Sequence, residues 1–146
     1  QGAFSTVLSI FTSFGYFESD EENLAVLEGA RRALRPGGRF LLDYLNREQV
    51  IAQLVPENEQ QLPGRRVHNR RWITADGLRV EKLITVTPEC GPTHQFRESV
   101  RMYSAEEMRA LLASAGFQAV RAYGSLAGED YQPNSPRLVL VAEAPA

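Results

Sequence analysis

Residues 30–46, ARRALRPGGRFLLDYLN, constrain the fold more than any other stretch of this chain. An amphipathic helix runs into Arg35-Pro36-Gly37-Gly38 and leaves at once as an apolar strand, Arg39 to Leu45, whose end carries Asp43, Tyr44 and Asn46. Proline cannot continue a helix and glycine opens the conformations a sharp turn needs. Helix, turn and buried strand in that order, with polar residues at the strand's carboxyl end, are how open α/β sheets place their ligand sites.

The preceding segment supports that reading. Phe4 to Phe11, FSTVLSIF, is a β-branched and aromatic run of strand length and reads as a largely buried strand. A loop, Thr12 to Phe17, follows it. Ser19-Asp20-Glu21-Glu22 is a capping box with acidic residues gathered where the helix dipole favours them. Leu24, Leu27, Ala30 and Leu34 then fall on one helical face, and Arg31, Arg32 and Arg35 gather near the carboxyl end. A strand–helix–strand unit of this length predicts parallel pairing with a right-handed crossover.

Beyond Asn46 the pattern predicts a short helix, Arg47 to Leu54, stopped by Pro56 and a polar run to Gln61. Arg65 to Thr74 and Leu78 to Thr87 are strand-like and meet across Ala75-Asp76-Gly77, a hairpin signal. With Thr93 to Tyr103 they predict an antiparallel meander over 65–103. Ser104-Ala105-Glu106-Glu107 is a second capping box, and its helix carries Met108, Leu111, Leu112 and Ala115 on one stripe up to Gly116. Phe117 to Tyr123 and Arg137 to Ala144 close the chain as strands. One domain spanning 1–146 is the expectation for this length.

Composition removes several function classes. A net charge of −2 gives no electrostatic case for nucleic acid or an anionic membrane. The apolar opening is too short to span a bilayer and is broken by Ser5, Thr6, Ser9, Thr12 and Ser13. Cys90 is the lone cysteine and has only His68 and His94 for company, so neither a disulfide nor a metal site is expected and a reducing, cytoplasmic setting is the default. The start at Gln1 rather than Met reads as that of a processed or truncated product.

FSTVLSIFTSFGYFESDEENLAVLEGARRALRPGGRFLLDYLN resembles the fourth strand, its helix and the fifth strand of class I S-adenosylmethionine (SAM) dependent methyltransferases with a seven-stranded Rossmann-like sheet. RMYSAEEMRALLASAGFQAVRAYG with SPRLVLVAE is similar to their last helix and closing pair of strands. The resemblance implies an α/β fold, a partial Rossmann-like methyltransferase sheet holding strands four to seven in the family order 3-2-1-4-5-7-6. The antiparallel β-meander, 65–103, would be an insertion covering the substrate side. The glycine-rich SAM loop and the strands around it have no counterpart here, and Ser5 stands where the family often has an acid. The resemblance thus implies the carboxyl-terminal portion of a SAM-dependent methyltransferase acting on a small molecule. Its partner would be an amino-terminal half, or a second copy joined through the Phe4–Phe11 edge.

Methyl transfer needs alignment and exclusion of water rather than a metal or covalent nucleophile. The resemblance places Ile10, Phe11 and Phe14 beside the cofactor, where aromatic rings can stabilise a cationic centre. Core and rim packing accounts for the same aromatics equally simply. Tyr16, Asp43, Tyr44, Asn46 and Arg97 are the candidate acceptor-binding residues. A carboxylate at Asp43 can orient or deprotonate an acceptor; the alternative is a surface Asp43 and an Asn46 that caps a helix. Arg97, Arg101 and Tyr103 share one face of their strand, which suits an anionic acceptor or simply faces water. Cys90 has no activating neighbour. Two further classes stand beside the enzyme: a non-catalytic half-domain needing a partner chain, and a nucleotide-dependent oxidoreductase, for which the Gly-rich phosphate turn is missing.

Overall fold

The computed structural model describes residues 2–146, which form two four-stranded sheets and three helices. The first sheet holds β1 (Phe4–Ser9), β2 (Leu34–Leu45), β7 (Gln118–Tyr123) and β8 (Arg137–Glu143) in the order β1-β2-β8-β7. β1 and β2 are parallel, joined through helix α1 (Asp20–Ala33), while β8 runs antiparallel to both β2 and β7. The parallel crossover expected from the sequence is therefore present, flanked by the closing pair.

Both capping boxes form. Ser19 accepts from the Glu22 amide at 3.2 Å, and Ser104 accepts from Glu107 at 3.1 Å to open helix α3 (Ala105–Ser114). Leu27 of α1 and Met108 and Leu112 of α3 are buried with Phe40, Leu42, Leu138 and Leu140 of the sheet in one core. Phe40 stacks on Phe117 with ring centroids 5.4 Å apart, tying β2 to the turn before β7. Helix α2 (Arg47–Gln53) is short, and Asn46 caps it by accepting from the Glu48 amide.

The second sheet is a meander, β3-β4-β5-β6, formed by Glu57–Leu62, Arg65–Ile73, Arg79–Pro88 and His94–Arg101. Val80, Val100, Ile73 and Met102 anchor its inner end on the core of the first sheet. Its opposite end reaches into solvent.

Three expectations need correction. The sequence predicts a largely buried Phe4–Phe11, yet β1 stops at Ser9 and Leu8 is 60% exposed. Among the described residues β1 pairs with β2 alone, so one edge of an apolar strand is left uncovered. The sequence predicts a Pro-Gly-Gly turn ahead of its strand, whereas β2 already begins at Leu34. Pairing jumps from Phe4–Leu34 to Thr6–Arg39, so residues 35–38 bulge out of a continuous strand. Finally, the polar run after Pro56 contains β3, whose residues are exposed on both faces apart from Leu62 and so carry no apolar alternation to betray a strand.

Candidate functional site

The loop after β1, residues 10–17, lies where the two sheets meet, and three sets of bonds fix it. The Phe11 amide donates to Asp43 Oδ2 at 2.9 Å and the Thr12 amide donates to the Asp43 carbonyl at 3.1 Å. The Arg101 amide donates to the Gly15 carbonyl at 2.8 Å. Arg79 Nη1 donates to the Phe17 carbonyl at 3.1 Å. Phe11 and Thr12 adopt φ of 57° and 56°, the left-handed region, which is uncommon for side-chain-bearing residues. Such a conformation persists only where its surroundings impose it. Here the Asp43 carboxylate imposes it, helped by Arg137, whose Nε donates to Asp43 Oδ1 at 2.8 Å and whose Nη2 donates to Thr12 Oγ1 at 2.9 Å.

Gly15 is required at its position. Its φ is 94°, and a Cβ there would lie 3.0 Å from the Arg101 carbonyl oxygen and 3.1 Å from the Tyr44 hydroxyl oxygen. That hydroxyl donates to the Arg101 carbonyl and accepts from the Tyr103 amide at 3.3 Å, so one tyrosine of β2 joins both sheets. Phe14 is packed behind it, edge-on to Tyr44 at 6.0 Å and beside Tyr103 at 5.9 Å.

The loop divides two hollows. One, of about 500 Å³, is lined by Tyr16 of the loop, by Glu18 just after it, and by Arg79, Glu81, Arg97 and Ser99 from the meander. The other, of about 450 Å³ and mostly apolar, is lined by Phe11, Asp43, Leu126 and Arg137. The structure thus brings Tyr16 and Arg97 together in the first hollow, and Phe11 and Asp43 together in the second. Phe11 is 79% exposed, whereas Asp43 is almost fully buried behind it. Ile10 is exposed at the end of β1 but lines neither hollow. Phe14 and Tyr44 are core residues. Asn46 is buried elsewhere: it donates to the Pro133 and Ser135 carbonyls at 3.1 and 2.7 Å and accepts from the Tyr131 hydroxyl at 3.1 Å.

Burial sets the electrostatics. The Tyr44 and Tyr103 hydroxyls are pushed well above the usual tyrosine range by burial, and Asp20, which accepts from Tyr103 at 2.5 Å, reinforces the shift there. Both stay neutral donors. Tyr131, over Asn46, is pushed up to about 12 by burial and by Glu48. Tyr16 is raised by burial and by the Glu98 charge. Glu81 goes the other way: the Arg97 guanidinium beside it, and the Ser99 hydroxyl, hold its carboxyl below the usual range and keep it ionised. Among the described residues no group of three or more His, Cys, Asp and Glu side chains is arranged to hold a metal ion. Cys90 is exposed.

Six residues lining these hollows escaped the sequence reading: Glu18, Arg79, Glu81, Ser99, Leu126 and Arg137. Arg79 and Glu81 alternate with Val80 along β5, a signal that one face is polar. Placing Glu81 opposite Ser99 depends on the register across the 88–92 loop, and no short turn motif fixes it. Arg137 opens β8, and only the folded sheet places it against Asp43, 94 residues away in sequence.

No family model and no curated protein sequence matches the chain. Solved structures do. The CcbJ methyltransferase from Streptomyces caelestis matches with a TM-score of 0.79 at 18% identity, over 98% of this chain and 61% of that one. A SAM-dependent methyltransferase from Clostridium acetobutylicum matches with a TM-score of 0.81 at 13% identity, over 99% of this chain and 60% of that one. The sugar N-methyltransferase KedS8 from Streptoalloteichus matches with a TM-score of 0.70 at 19% identity, over 99% of this chain and 57% of that one. The mixed α/β architecture is therefore similar to that of SAM-dependent methyltransferases, and the chain spans about 60% of the length of the structures it matches.

Proposed function

We propose that the chain is the acceptor-facing, carboxyl-terminal portion of a SAM-dependent methyltransferase acting on a small molecule. The observation that carries this reading is the loop after β1: a strained segment at the carboxyl end of a parallel strand, clamped between the sheets with a hollow on either side. Likeness to methyltransferase structures over nearly the whole chain supports it.

The sheet would correspond to strands four to seven of a Rossmann-like methyltransferase, with 65–103 as the insertion over the acceptor. Phe11 lines the second hollow and, like Ile10 before it in the chain, is apolar and exposed, which suits one flank of SAM and its sulfonium. Phe14 supports that flank from the core. SAM, when bound, supplies an electrophilic methyl group. The chain's own residues align the acceptor and shield it: Tyr16 and Arg97 meet it in the first hollow, Asp43 holds the loop from the second, and Tyr44 ties the two sheets together from the core, whereas Asn46, buried beside Tyr131, lines neither hollow. These residues fit one side of the cofactor only. The glycine loop that grips the rest would come from an upstream segment pairing along β1, whose apolar edge is open.

The exposed edge also favours a second reading, a non-catalytic module that works only when a partner strand covers β1. Calorimetric titration with SAM separates the two. The present chain should bind weakly or not at all, and a version extended upstream through a strand and glycine-rich loop should bind with micromolar affinity, about −8 kcal/mol. An extended protein that still fails to bind would leave the partner module as the better account.

A further inference from the structure

Two guanidiniums line the hollow beneath Tyr16, but Arg79 is engaged through Nε, Nη1 and Nη2 by Ser99 and by the Phe17 and Gly15 carbonyls, which leaves Arg97 as the one with donors to offer among the described residues. Arg97 Nε donates to Glu81 Oε2 at 2.8 Å, and its plane lies over the Trp72 ring with 6.0 Å between Arg97 Cζ and the ring centroid. Glu81 is fixed in turn, because Ser99 Oγ donates to Oε1 at 2.9 Å and Arg79 Nε donates to Ser99 Oγ at 2.7 Å. Trp72, Glu81 and Ser99 stand directly opposite one another across β4, β5 and β6. The Arg97 side chain is 65% exposed although the carboxylate that holds it is only 5% exposed. Neither of its Nη groups has a protein partner among the described residues. A buried carboxylate thus holds one edge of the fork and leaves the other free in a hollow of about 500 Å³.

We infer that this hollow captures a small molecule through a monoanionic carboxylate, gripped by the Nη groups of Arg97 with Glu81 as the positioning residue. The planar fork of arginine matches a carboxylate in two parallel hydrogen bonds. Glu18 and Glu81 balance Arg79 and Arg97 in the lining of the same hollow, so a second negative charge, as on a phosphate monoester, finds no unmatched cation there. The exposed face of Tyr16 lies against the body of the ligand. Identifying the ligand as the methyl acceptor rests on the function proposed above; the binding itself does not involve SAM, so either can fail without the other.

Trp72 is the sole tryptophan and lies against Arg97, so its fluorescence reports the event directly. The full chain is titrated with 3-phenylpropionate, its amide, phenyl phosphate and phenethylamine. The carboxylate should give a saturable change in emission, the amide and the phosphate should bind at least about ten-fold more weakly, and the amine should not compete. Arg97→Gln should lose at least about ten-fold in affinity while keeping its circular dichroism, since the side chain is exposed. Glu81→Gln should lose several-fold and shift the unliganded emission of Trp72. Arg97→Lys, which keeps the charge without the fork, should restore only part of the affinity. The inference is overturned if the amide binds as well as the acid, if Arg97→Gln binds undiminished, or if no saturable change appears up to about 10 mM.

Discussion

Replacing Asp43 by alanine tests whether this carboxylate holds the loop or waits for a ligand. Its side chain is 3% exposed and accepts two bonds, 2.9 Å from the Phe11 amide and 2.8 Å from Arg137 Nε. Bonds to a charged group contribute about 1.5–3 kcal/mol each, and removing one member of a buried pair strands the other. Arg137 is 34% exposed, so water recovers part of its loss. The loop also loses what offsets the left-handed backbone of Phe11 and Thr12. Asp43→Ala should therefore cost about 2–4 kcal/mol. Asp43→Asn, which keeps one acceptor and the shape, should cost about half as much. With a urea slope of about 2 kcal/mol per molar, the alanine variant should unfold about 1–2 M earlier with an unchanged slope. The Phe11 and Thr12 amide resonances should move in both variants. A cost below about 0.5 kcal/mol, the ordinary range for surface substitutions, would refute the reasoning.

Gly15→Ala should destabilise by about 2–5 kcal/mol, the sum of a left-handed backbone and a crowded Cβ, read as an earlier urea midpoint. Tyr44→Phe should cost about 1–3 kcal/mol in the same assay, since it leaves the Arg101 carbonyl and Tyr103 amide short of a partner. Glu81 has a folded pKa held below the ordinary 4.5, so its contribution is present above that value and lost as pH falls through the lower folded one. Wild type should then be more stable than Glu81→Gln at neutral pH, with the gap between their urea midpoints closing below about pH 4. A gap that widened on acidification would contradict that sign.

The frame of the fold was legible because local chemistry and long-range pairing agree there. Ser19 and Ser104 start helices by bonds within their own turn, and the Asp76-Gly77 turn sets the β4–β5 register locally, with Asp76 Oδ1 accepting from the Leu78 amide at 2.9 Å. β3 stayed hidden because its hydrogen bonds to β4 fold it without burying a face. The exposure of β1 is illegible for a related reason: an apolar run reports what a strand is suited to pack against, and nothing among the described residues covers that edge. At the site, the loop aromatics and Arg97 were visible from residue type, but Glu81 and Arg137 were not. Each matters through a partner on another strand, at a separation that only the assembled sheets close.

The account's central claim is that the end of β1 faces the methyl donor while Tyr16 faces the acceptor. The most direct measurement is the pattern of nuclear Overhauser contacts from the S-methyl protons of SAM bound to the upstream-extended protein. The account predicts contacts to the Ile10 and Phe11 side chains. Bound SAM whose methyl protons touch neither of them, and lie instead against residues outside the loop after β1, would contradict it.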